Sequence, residues 1–204
     1  MSKSLIVVDI QPFYHQYHKN ITPQLLEHIR DNSNQYKNII WFFNAEEVIG
    51  IEEDIDDMTD YIMDFEIISE DQFDSINFID KDFGFFRNWL DTQVDDDFIK
   101  YVVKHMIQED VVDIRELDEE VFRMLFQTYF NLNEEDLQNE WADEYKFFLD
   151  NPINIPQFKW QAIRNLGNVD LCGGSENECL AEIELLLEAV DVKVNKLNKF
   201  IYQA

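Results

Sequence analysis

A chain of 204 residues that is 46% hydrophobic, with 17 phenylalanines, can bury a proper core and is too apolar for intrinsic disorder. Five glycines and four prolines argue against long flexible linkers, and no apolar run approaches the ~20 residues of a membrane helix. Asp and Glu number 43 against 16 Lys and Arg, and the resulting charge of −27 speaks against direct binding to nucleic acid or to an anionic membrane.

Leu5-Ile6-Val7-Val8 is a continuous apolar run ending at Asp9, the pattern of a parallel strand covered on both faces. Thr22-Pro23 reads as an N-cap and first helical residue, with Leu25, Leu26, Ile29 and Tyr36 following at roughly helical spacing. Asn38–Phe43 predicts a second buried strand and completes a βαβ unit. Residues 38 to 80 contain no Lys or Arg. Within them Glu52, Glu53, Asp54, Asp56, Asp57 and Asp60 interleave with Met58, Tyr61, Ile62 and Phe65, an acidic amphipathic helix with a solvated polar face. Ser75–Ile79 predicts a third strand running into Asp80-Lys81. Residues 95 to 107 read as a helix, Val111–Ile114 as a short strand, and 117 to about 150 as further helix, broken by Pro152 and Pro156. A helix over about 157–166 ends at Gly167. A strand at 168–172, a helix over 176–190 and an extended end over 191–202 complete the chain. This alternation predicts one α/β domain over residues 1–204, a three-layer α/β/α arrangement on a mostly parallel sheet with a helical insertion at about 108–150.

The densest local signal lies between Asn168 and Leu180. Three of the five glycines fall between 167 and 174. Ser175 and Glu178 have the spacing of a capping box, which starts a helix at Ser175 and puts Cys179 in its first turn, where the helix dipole favours a thiolate. Cys179 is then either a nucleophile or a small buried residue. Asp9 ends the first strand and Lys81 follows the third, so all three stand at the strand ends where open parallel sheets bind ligands. Carboxylate, amine and thiol together make a workable nucleophile site. Glu176 reads as a first-turn acid or a pocket residue, and Cys172 as core. The aromatic residues Phe83, Phe85, Phe86 and Trp89 read as core, with one of them free to wall a pocket. His15, His18, His28 and His105 read as surface or rim residues.

Asp9 in Val7-Val8-Asp9-Ile10-Gln11, Lys81 ahead of an aromatic stretch, and Gly173 six residues before Cys179 occur in the order seen in isochorismatase-like cysteine hydrolases, and the chain resembles that superfamily on these motifs. The resemblance covers the N-terminal strand, the stretch around 76 to 91 and residues 166 to 202. It implies a parallel sheet flanked by helices and an Asp–Lys–Cys triad: Asp9 as base, Lys81 as electrostatic support, and Cys179 as the nucleophile attacking a small amide or related C–N substrate. Backbone N–H groups near Glu178 and Cys179 would be the oxyanion donors. Gln11, Phe86, Gly174, Ser175 and Glu176 would line the pocket for this small-molecule substrate. No metal or other cofactor is expected, because His15 and His18 lack the Asp-x-His pattern of the nicotinamidases in that superfamily. Departures are Glu176, where a small or hydroxyl residue is common, and Glu178 beside the cysteine. They suit an alternative, a non-catalytic acidic binding or inhibitory protein that retains the fold.

Two cysteines make no disulfide framework and Met1-Ser2-Lys3-Ser4 lacks a signal-peptide layout, so a reducing cytoplasm is the expected setting. The acidic excess fits a solvated surface, a face for a basic protein partner, or an imitation of the phosphate field of DNA. Self-association is compatible with such a domain, and nothing in the sequence names an interface.

Overall fold

The computed structural model describes residues 3–45, 52–81, 87–90, 92, 95–111, 113–153, 155 and 163–203. Strands β1 (Lys3–Val8), β2 (Tyr36–Phe43), β3 (Ile76–Asp80), β4 (Asn168–Gly173) and β5 (Lys193–Lys196) form one all-parallel sheet in the order β3-β2-β1-β4-β5. Helices α1 (Thr22–Asn32) and α2 (Ile55–Met63) connect the first three strands. Between β3 and β4 run α3 (Asp96–Gln108), α4 (Glu119–Phe130), α5 (Glu134–Asn139) and α6 (Ala142–Asp150), and α7 (Cys179–Ala189) joins β4 to β5. This is the three-layer α/β/α architecture that the alternating pattern calls for. Among the described residues no helix is long and apolar enough to cross a membrane.

The period of two along a strand divides the core. Leu5 and Val7 of β1 join Ile39 and Trp41 of β2 and Cys172 of β4 on one face, under Leu25, Leu26 and Ile29 of α1 and Met58 and Ile62 of α2. Ile6 and Val8 join Ile40, Phe42 and Leu171 on the other, under Val102 and Met106 of α3 and Leu180, Ile183 and Leu186 of α7. β1 has neighbours on both sides and cover on both faces, which is why its sequence is unbroken hydrocarbon rather than alternating.

Much of the acidic excess sits at helix starts. Asp54 and Asp57 form a capping box on α2, Asp95 and Asp118 cap α3 and α4, and Asn133 with Asp136 caps α5. Each satisfies orphan N–H groups and meets the positive end of the helix dipole.

Three local expectations are corrected. Of the strand expected at Val111–Ile114, the described residues show an isolated bridge at Asp113 and a 3-10 turn opened by Ile114, whose N–H bonds Ile153 O at 3.0 Å, away from the sheet. Thr22 does not cap α1; its hydroxyl donates to His18 O at 3.1 Å, and Ile21 occupies the N-cap. The Ser175–Glu178 capping box does not form. Residues 176–178 make a turn, and α7 begins only at Cys179 with no side-chain cap. The predicted helix over 157–166 lies mostly outside the described residues.

The strand order places the site. From β1 the sheet grows outward to β2 and β3, then restarts on the opposite side with β4 and β5. Neighbouring connections leave in opposite directions at β1 and β4, and the crevice beyond their carboxyl ends is the binding position of such sheets.

Candidate functional site

Asp9 is the residue directly after β1. Its backbone is left-handed, at φ +48°, a conformation that Asp tolerates better than most side chains. The turn is held by Asp9 N–H donating to Phe42 O at 2.9 Å and by the Tyr202 hydroxyl donating to Asp9 O at 3.2 Å. Lys81 is the residue directly after β3, and its N–H donates to Phe43 O at 2.8 Å. The strand ends thus aim both side chains into one buried space. Lys81 Nζ lies 3.3 Å from Asp9 Oδ2, with both side chains 1% exposed.

A carboxylate and an ammonium removed from water to this degree must compensate one another. Burial opposes the Lys81 charge, but Asp9, Cys179 and Glu182 together outweigh it, and the lysine pKa stands above its ordinary value. Lys81 is therefore a fixed cation rather than a proton acceptor. Neither Asp9 oxygen has a hydrogen-bond donor in good geometry among the described residues, which leaves carboxylate lone pairs open to a proton.

Cys179 follows β4 at the start of α7. Gly173 and Gly174 have φ values of +77° and +60°. A Cβ on Gly173 would stand 2.2 Å from Val8 O, and one on Gly174 3.1 Å from both N and Cβ of Leu180. Only glycines let β4 pass this close to β1 and fold α7 back over the crevice. Gly174 N–H donates to Val8 O at 2.6 Å, locking the turn to the residue before Asp9. Cys179 is half-buried at the first position of α7, and its sulfur acts electrostatically on Lys81, Tyr14 and Tyr202. Glu178 N–H, expected as an oxyanion donor, is already spent on Ser175 O at 3.1 Å.

The remaining expected pocket residues divide. Gln11 is buried and ties loops together: Nε2 donates to Asn44 O and Glu53, and Oε1 accepts from Asn44 N–H. Both of its donors are consumed inside the protein, so its part is that of a clamp. Ser175 is buried, with its backbone bridged to Tyr202. Glu176 is half-buried in the turn before α7. Phe86 lies outside the described residues, as do Phe83 and Phe85. Cys172 is core as expected, its thiol 3.6 Å from Ile6 O and its pKa pushed up by burial. His18 is a correction: it is fully buried rather than on the rim. Its Nδ1 lies 2.8 Å from Thr22 Oγ1, and burial lowers its pKa to about 4.

Family models, curated proteins and solved structures give no match to the chain.

Sequence reading missed four residues that surround the site. Glu182 is 1% exposed and acts on Lys81. It lies three residues after Cys179, a spacing that puts both on one helix face, so the signal was available. Tyr14 follows Asp9 by five residues; burial raises its phenol pKa, and Asp9 and Cys179 add to the rise. Tyr202 behaves alike, with burial first and Asp9 and Cys179 next. Both phenols stay protonated; the Tyr202 proton is spent on Asp9 O, and Tyr14 can donate. Glu53 is buried, accepting from Phe13 N–H at 2.6 Å as well as from Gln11. No group of three or more His, Cys, Asp or Glu residues fit to hold a metal ion occurs among the described residues.

Proposed function

We propose that this chain is a cysteine hydrolase acting on a small amide or related C–N substrate through Asp9, Lys81 and Cys179. The observation that carries the reading is the buried Asp9–Lys81 pair at 3.3 Å, at the carboxyl edge of the sheet, within electrostatic reach of a half-buried thiol at the start of a helix. The motif order shared with isochorismatase-like hydrolases supports it as a resemblance. In this scheme the Cys179 sulfur attacks the substrate carbonyl carbon while its proton passes to Asp9. Asp9 returns that proton to the departing amine, leaving a thioester on sulfur. A water then attacks the thioester with Asp9 as base, releasing the acid and restoring the thiol. Lys81 pairs with Asp9, and Tyr14 supplies a neutral donor. Proton transfer by a placed base contributes about 10²–10⁴-fold to such reactions.

The test is a panel of small primary amides, ureas and carbamoyl compounds, with the acyl-enzyme sought by intact-mass spectrometry. Turnover lost in both Cys179→Ser and Asp9→Asn supports the scheme. Turnover that survives Cys179→Ser ends it.

A second reading is favoured by one observation. Glu182 is buried beside Lys81, and Glu178 adjoins Cys179, so carboxylates outnumber cations among the described residues of the site. Ionising a thiol there meets like charge. A non-catalytic acidic protein that binds a basic partner would keep the fold and tolerate this surplus. It predicts salt-dependent association and a Cys179 no more reactive with iodoacetamide than a free thiol. Either way, no disulfide joins Cys172 and Cys179, which suits a cytoplasmic setting, and sedimentation would report any homo-oligomer.

A further inference from the structure

The segment between β3 and β4 carries a cavity that the triad does not use. It measures about 500 Å³ and is lined by Phe130 at the end of α4, Trp141 at the N-cap of α6, Phe147 and Phe148 within α6, and Asp95, Asp143 and Glu144. That volume falls within the roughly 300–1,000 Å³ typical of small-molecule sites. Its walls are organised rings: Phe130 and Trp141 lie 4.7 Å apart at 30°, and Phe147 and Phe148 5.5 Å apart at 84°. Phe98, Phe126 and Tyr145 pack behind them.

The three carboxylates are exposed beside this aromatic floor. Asp95 is engaged by Asp97 N–H and the Tyr129 hydroxyl, neither of which neutralises it. Asp143 and Glu144 form no ion pair with a described cation; Lys100, one turn into α3, is taken by Asp97 and Glu188. The first turn of α6 explains why acids are tolerated at 143 and 144. It does not explain a concave aromatic surface beneath them. Ring faces are electron-rich and attract cations, and the surrounding carboxylates reject anions.

We propose that this cavity is a binding site for a small organic cation, an alkylated ammonium carrying an apolar group. The rings take the ammonium and its apolar body, and Asp143 and Glu144 supply the counter-charge. The site is separate from Cys179 and independent of whether that thiol is reactive.

The test is calorimetric titration of the intact protein with benzyltrimethylammonium, with benzyl alcohol as the neutral comparator. A single saturable site is expected, at least tenfold tighter for the cation than for the alcohol. The Asp143→Asn/Glu144→Gln double variant changes only exposed side chains and should weaken cation binding about tenfold. Glu119→Gln, a carboxylate at another opening of the same helical region, should leave it unchanged, as should Cys179→Ser. No saturable binding, equal affinity for the alcohol, or equal loss in Glu119→Gln overturns the proposal, the last by showing only diffuse attraction to a protein of charge −27.

Discussion

Replacing Lys81 by methionine keeps the side-chain volume and removes the charge that compensates Asp9. The ammonium and carboxylate lie 3.3 Å apart with both side chains 1% exposed. At an effective dielectric near 20, unit charges at that distance attract by about 5 kcal/mol. Forming the pair cost desolvation of both ions, so the net value of the pair is far smaller. Breaking it is different, because the carboxylate is then stranded, and such losses run to about 3–5 kcal/mol. For a chain of this length that is a fall in Tm of about 10 °C. Glu182, on the same lysine, places Lys81→Met toward the upper end. Asp9→Asn/Lys81→Met removes one of the two abandoned charges and should be more stable than Lys81→Met alone, giving a coupling of about 2 kcal/mol in a double-mutant cycle. Urea unfolding followed by circular dichroism measures all four proteins. Acidification supplies a second check. A stranded carboxylate takes up a proton more readily in the folded than in the unfolded chain, so the deficit of Lys81→Met relative to wild type should narrow as pH falls from 7.5 to about 5.5. A deficit under about 1 kcal/mol, or additive single substitutions, would refute the description of this pair as buried and charged.

Gly173→Ala should be severely destabilising, by roughly 3 kcal/mol or more, because strain at φ +77° adds to a backbone clash at 2.2 Å; Gly167→Ala, at φ +75° with open space, should cost only about 1–2 kcal/mol in thermal unfolding. His18 has a folded pKa of about 4 against 6.5 for the free side chain, its charged form being opposed by burial. The unfolded chain therefore binds more protons between those values, and stability should fall as pH drops through that window, by about 3 kcal/mol in all. His18→Gln should flatten that slope in urea midpoints measured from pH 7 to 4. Under native conditions iodoacetamide should label Cys179 and spare Cys172, with both labelled in urea; mass spectrometry that finds Cys172 modified in the folded protein would contradict its burial.

Local pattern was enough to specify most of the sheet. The run Leu5–Val8 is covered on both faces, so its hydrophobicity shows without knowledge of its neighbours, and the turn from strand to Asp9 is marked where that run stops. The same holds for β2, and for the glycine pair, whose need for positive φ is written in the residue type itself. The start of α7 was misread, because Ser175 and Glu178 have capping spacing but Ser175 is held by Tyr202 instead. His18 reads as a rim residue from its polarity, and Gln11 as a pocket residue from its motif. They are buried because Thr22, Asn44 and Glu53 satisfy them, and those partners are contributed by packing.

What only the tertiary structure decided is which strand lies beside which, and therefore what meets at the crevice. Tyr202 reaches Asp9 across 193 residues of sequence, and Glu182 acts on Lys81 from the far side of the helical segment. Periodicity reports whether a residue is covered, since burial selects hydrocarbon at a fixed spacing. It carries no record of the covering residue, because hydrophobic contact is non-directional and many partners would serve equally well. The site depends on partners, so its membership became visible only when the strands were placed side by side.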